Sequence, residues 1–204
     1  MLNYWIGMAA ICAFAMAGVL AAGRRGMDLI ALLFMGVITA VGGGTLRDLL
    51  LGVPVFWMID FNYVWVASAA SLAAFALARH LRDETVWAAI LYLDAFGIAL
   101  FGVQSIDKAL AHGFAAPVTI VMATITGIGG GLIRDVLAQR ENLLSSREIY
   151  ATTIITGGML YTFLLAQGGA SHGASLCGVA FTFAFRGLAI HFGWQMPKWL
   201  TLRH

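Results

Sequence analysis

Along this chain, apolar residues form seven long stretches and polar residues cluster in the short gaps between them. The stretches are 3–22, 28–51, 62–80, 85–106, 115–138, 147–166 and 174–194. A helix needs about 20 mostly apolar residues to cross the hydrocarbon core of a bilayer, so each stretch predicts one transmembrane helix. The gaps carry turn or charge chemistry: Gly23-Arg24-Arg25-Gly26, Gly52-Val53-Pro54, Arg82-Asp83-Glu84, His112-Gly113, Arg140-Glu141-Asn142 and Gly168-Gly169. No stretch is left over for a soluble domain, and residues 1–204 read as a single transmembrane domain.

Composition strengthens this reading. The chain is 61% hydrophobic and 11% charged, with a mean hydropathy of +0.88. Soluble domains carry about a quarter charged residues, and this apolar excess is too large for one small core. The first stretch is expected to stay as a helix. It lacks the basic residues that precede a secretory signal, and Arg24 and Arg25 follow it instead. Lys and Arg then set the orientation. The gaps after odd-numbered spans hold Arg24, Arg25, Arg79, Arg82, Arg140, Arg147, Lys198 and Arg203, whereas the other side has Lys108 alone. Cytoplasmic loops are enriched in these residues. The N-terminus is therefore expected outside and the C-terminus in the cytoplasm.

The chain also repeats itself. Phe34–Leu50 reads FMGVITAVGGGTLRDLL and Val121–Leu137 reads VMATITGIGGGLIRDVL, at an offset of 87. Tyr63 and Tyr150 pair at the same offset. Each copy spans three helices, an odd number, so the second copy enters the membrane from the opposite face. The expected fold is an all-α membrane protein of two inverted three-helix repeats (1–83 and 84–171) followed by a seventh helix and tail (172–204).

Two triplets, Gly42-Gly43-Gly44 and Gly129-Gly130-Gly131, fall inside spans. Glycine costs about 1 kcal/mol relative to alanine in a helix interior. One reading is close packing of helix backbones. The other, which we favour because charges follow both triplets, is a kinked or broken helix that opens backbone groups to a polar cavity. Arg47, Asp48, Arg134, Asp135, Asp94 and Arg186 are ionised residues within spans, and such residues face the bundle interior or water. Neighbours in sequence do not face each other on a helix. Arg47 and Asp48, like Arg134 and Asp135, are thus expected to find partners elsewhere. Asp94 and Arg186 lie at similar depth and are expected to pair. Thr39, Thr45 and Thr126 either line a path or bond their own helix backbone. Cys12 and Cys177 read as small packed residues, and His80, His112, His172, His191 and His204 lack metal-ligand spacing. No metal site, cofactor, catalytic arrangement or nucleic-acid partner is expected.

Two copies of G-G-G-x-x-R-D in a chain of seven spans resemble the bacterial branch of the trimeric intracellular cation (TRIC) channel family. Its bacterial members are also grouped under a glycine-transporter domain. The resemblance implies a homotrimer in the bacterial inner membrane, with one pore per subunit. It implies kinks at Gly42–Gly44 and Gly129–Gly131 in the second and fifth spans, with Arg47, Asp48, Arg134 and Asp135 as pore-associated charges. It also implies passage of monovalent cations, chiefly potassium, and no enzymatic activity. The alternative is a secondary transporter of a small zwitterion such as glycine, in which arginine would suit a carboxylate and Asp94 an ammonium group. A structural or assembly subunit is the third class, and it leaves the repeated charges unexplained.

Overall fold

The structure, a computed structural model, describes residues 2–23, 27–78, 80–140 and 148–197. Arg24, Arg25, Arg79, Arg147, Lys198 and Arg203, used above for orientation, lie outside the described residues. Eight helices follow in order: α1 (Leu2–Ala22), α2 (Leu29–Leu51), α3 (Phe56–Ile59), α4 (Asn62–Ala78), α5 (Asp83–Ala111), α6 (Ala116–Leu137), α7 (Ala151–Ala166) and α8 (Ser171–His191). All but α3 correspond to predicted spans.

Local chemistry sets several boundaries. Asp28 caps α2, its carboxylate accepting from the Ala31 amide at 2.8 Å. Gly52 closes the same helix in the left-handed region, at φ 68°. Pro117 lies in the first turn of α6, where its missing N–H costs nothing. Two boundaries move by four residues or more, and one helix is new. The fourth helix does not end at 106 but runs through 29 residues to Ala111. At 1.5 Å per residue it is about 44 Å long, so Asp107 and Lys108 belong to it rather than to a loop. The sixth begins at Ala151, after an isolated antiparallel bridge between Glu148 and Gln195. The short α3 was not foreseen, because four residues are too few to show periodicity. Helices α4 and α7, of 17 and 16 residues, are shorter than the other spans but equally apolar.

The offset of 87 carries α1 onto α5, α2 onto α6 and α4 onto α7. The related pairs α1–α5 and α2–α6 pack directly on each other. Phe14 and Phe101, also 87 apart, meet in the core with ring centroids 5.7 Å apart. The last helix breaks this symmetry. It lies against α5 and α7 of the second repeat, with Phe183 edge-on to Phe96 at 5.8 Å. A Cβ on Gly157 would sit 1.9 Å from Thr182 Oγ1. The equivalent groove in the first repeat is open, and Trp5 there is 65% exposed.

The distribution of polarity is that of a membrane protein. Phe34, Leu49, Trp65, Met159, Phe163 and Leu176 face outward. The six span charges face inward, none more than 4% exposed. In water this arrangement would be costly on both counts. In lipid it is the favourable one.

Candidate functional site

Helices α2 and α6 cross antiparallel at their glycine triplets, and the contacts there are reciprocal. A Cβ on Gly43 would stand 2.0 Å from the Thr126 carbonyl oxygen, and one on Gly130 would stand 2.5 Å from that of Thr39. Gly42 meets the Ile133 side chain and Gly129 meets that of Leu46, again a symmetric pair of contacts. Of the two forms expected at the triplets, a kink or a break, the break does not occur: both helices continue through them. What the glycines provide in this conformation is close backbone approach, which any side chain would prevent. Thr39 and Thr126 are buried, and their hydroxyls donate to the Met35 and Met122 carbonyls, both at 2.6 Å. With its hydrogen so used, Thr126 Oγ1 accepts from the Ser105 hydroxyl at 2.9 Å. Thr45 donates to Val41 O and accepts from Trp57 Nε1.

The third glycine of each triplet leads to an Arg–Asp pair near the helix end. Contrary to expectation, the sequence neighbours do bond. Arg47 Nε donates to Asp48 Oδ1 at 2.8 Å, and Arg134 Nε donates to Asp135 Oδ1 at 2.7 Å. The backbone rule on facing positions fails here because arginine is long enough to curl around the helix toward its neighbour. The two pairs then diverge. Lys108 of α5 donates to Asp48 Oδ1 at 2.7 Å, while the Phe56 amide at the start of α3 donates to Asp48 Oδ2 at 2.9 Å. Arg134 instead donates through Nη1 to Asp94 Oδ1 at 2.7 Å.

The Asp94–Arg186 pair is therefore corrected. Equal depth along the membrane normal does not make two side chains face each other. The Tyr150 ring lies against Arg186, 5.1 Å from its guanidinium carbon, and the Tyr150 hydroxyl reaches toward Gly131 and Asp94. Arg186 donates to Glu148 Oε2 at 2.5 Å and to Ile149 O at 3.0 Å.

Around Arg47 the bundle opens. A cavity of about 300 Å³ is lined by Asn3, Arg47, Tyr63, Gln104, Asp107 and Lys108, with Phe56 and Phe101 among its apolar walls. At the other end of the same helices α1, α2, α4 and α5, a cavity of about 260 Å³ lies among Val19, Leu32, Phe75 and Asp83. Between them Ile11, Phe14, Ile98 and Phe101 are at most 2% exposed. Several of these residues escaped the sequence reading. Asp107 and Lys108 fell outside the predicted fourth span, Glu148 stood unremarked at the start of the predicted sixth, and Tyr63 and Tyr150 were marked only by their place in the repeat. The tyrosines' match at offset 87 was the signal for a role inside the repeat.

Duplicated three-helix units, inward charges and an apolar exterior define a polytopic membrane protein of the TRIC-channel fold. The chain belongs to the family described as Glycine transporter, whose model matches it twice, over residues 4–79 and 91–166, themselves 87 apart. It is 41% identical over 197 residues to a UPF0126 membrane protein of Vibrio cholerae, covering 96% of this chain and 82% of that one. It is 38% identical over 203 residues to the UPF0126 inner membrane protein YadS of Escherichia coli, covering 97% and 96%. Among solved structures, the TRIC trimeric intracellular cation channel orthologue from Rhodobacter sphaeroides superposes with a TM-score of 0.90 at 32% identity. That match covers 95% of this chain and 99% of the other.

Proposed function

We propose that this chain forms a homotrimeric channel for monovalent cations, chiefly potassium, with one pathway inside each subunit. The observation that carries the reading is the polar cavity that enters the bundle beside Arg47 and Asp48 and ends on Phe101. A second cavity approaches from the other face, and the pathway is closed between them by the Phe14–Phe101 contact. Conduction requires the α2–α6 crossing to loosen. The triplets are where these helices bend, because glycine resists backbone rotation least. Irregular backbone is tolerated at this depth only while it lines water or is buried in protein. The solved relatives of the same fold are cation channels, which supports the same assignment here. The bias of basic residues toward one set of gaps supports an N-terminus outside and a C-terminus in the cytoplasm.

Purified protein in planar bilayers tests this. Discrete ohmic steps in potassium chloride are expected, and replacing Phe101 with alanine is expected to raise the open time. The competing reading, a carrier for a small zwitterion, draws on the same cavity, where Arg47 and Lys108 share a chamber with Asp107. Silent bilayers together with saturable, glycine-competed uptake into liposomes would establish the carrier and remove the channel. Reporter fusions to each terminus test the orientation.

A further inference from the structure

We infer that Asp107 is the residue that makes the Arg47-side entrance passable to cations, by holding the entering ion; this rests on the channel reading. The argument is one of charge. Arg47 and Lys108 both bond the same carboxylate oxygen of Asp48. These three groups leave one surplus positive charge at the cavity wall, which turns cations away. Asp107 lines the same cavity and, among its described lining residues, supplies the negative charge that offsets it.

Asp107 is also differently held from every buried carboxylate nearby. Its oxygens are taken by neutral donors: the Tyr161 hydroxyl on Oδ1, and Asn3 Nδ2 on Oδ2 at 3.4 Å. Among the described residues no lysine or arginine bonds it directly, although Arg47 and Lys108 share its cavity and the exposed His172 acts on it at longer range. Its charge is therefore not tied up in a direct ion pair and acts on the chamber as a whole. Neutral oxygens stand around the same chamber: the Asn3 carbonyl, which accepts from Gln104 at 2.8 Å, the Gln104 amide oxygen, and the Tyr63 hydroxyl. One carboxylate with several neutral oxygens suits a weakly hydrated monovalent cation. A divalent ion would demand more carboxylates. Asp107 on α5 and Tyr161 on α7 both belong to the second repeat, which thus supplies and positions the charge at an entrance it shares with α1, α2 and α4.

The test is the reversal potential in asymmetric potassium chloride. Reversal potential reports selectivity and is independent of how often the channel opens, so a purely structural role for Asp107 would not move it. Asp107→Asn is expected to lower the potassium-to-chloride permeability ratio about fivefold, the weight of one unit charge at about 4 Å in water. Asp107→Glu retains the ratio. Asp107→Asn/Lys108→Gln restores it, because the surplus positive charge leaves with the lysine. The effect shrinks between 0.1 M and 1 M salt, as the screening length falls from about 10 Å to about 3 Å.

Should Asp107→Asn fail to assemble, Asp107→Cys in a Cys177→Ser background replaces it. An anionic thiol reagent restores cation preference, and a cationic reagent reverses it. A conducting wild type whose ratio is unchanged in Asp107→Asn, or unmoved by the two thiol reagents, overturns the inference alone. A wild type that never conducts overturns the channel reading and this inference with it.

Discussion

The two Arg–Asp centres began as one motif and now do different work. At the first, Arg47 and Asp48 are joined by Lys108, whose side chain is 26% exposed, beside a cavity of about 300 Å³. At the second, Arg134 and Asp135 are joined by Asp94, and no side chain of the three exceeds 6% exposure. The position equivalent to Asp94 in the first repeat is Gly7, which faces Gln104 and Tyr63 on the cavity side. One centre thus has a surplus cation beside an open cavity, and the other has two carboxylates around a sealed guanidinium. Duplication supplied the shared geometry. Differences on α1 and α5 distinguish the end with the cavity from the sealed one.

The largest test of this contrast is truncation of the two arginines. Arg134→Ala leaves Asp94 and Asp135 without their shared cation, and breaking a buried pair costs about 3–5 kcal/mol. Arg47→Ala leaves Asp48 with Lys108 and is expected to cost clearly less. Thermal melting of both variants in detergent checks this, and equal losses would show the centres to be energetically alike.

The triplets come next. Gly43→Ala and Gly130→Ala each drive a methyl group into a backbone carbonyl that cannot rotate away, at 2.0 and 2.5 Å. Overpacking of this kind costs about 1–3 kcal/mol, and Gly43→Ala is expected to be the worse. Equal melting temperatures for both variants and wild type would mean the crossing is loose.

A smaller effect separates the partners of Asp94. A double-mutant cycle between Asp94 and Arg134 is expected to show a coupling of about 1–3 kcal/mol. The Asp94–Arg186 cycle should be near additive. The reverse result would restore the pairing expected from depth alone. Least of all, Lys108→Met should cost under about 1 kcal/mol, because the lysine is partly solvated and screened. Its stability loss should fade in high salt, whereas that of Arg134→Ala should not.

Much of this molecule could be read before any coordinates. Seven spans, the repeat at 87 and its inversion follow from hydrophobic run length, two matching motifs and the parity of three helices. So does the inward placement of Arg47, Asp48, Asp94, Arg134, Asp135 and Arg186, because lipid excludes charge whatever the fold. Partner choice was not readable. Whether Arg134 bonds Asp94, or Arg186 does, depends on how α6 and α8 are rotated about their own axes. An apolar helix carries almost no sequence record of that angle when every face is greasy. The fate of the glycines was hidden for the same reason: a triplet is compatible with a bend and with a close crossing, and α6 packed against α2 selects the crossing in this conformation. Asp107 and Lys108 were placed in a loop because the apolar run stops at Ile106, yet the helix extends to Ala111, stabilised by neighbours that no local pattern can announce. Solvent exclusion acts on each residue separately and is written in the chain. Pairing acts between residues distant in sequence and exists only once the helices are packed.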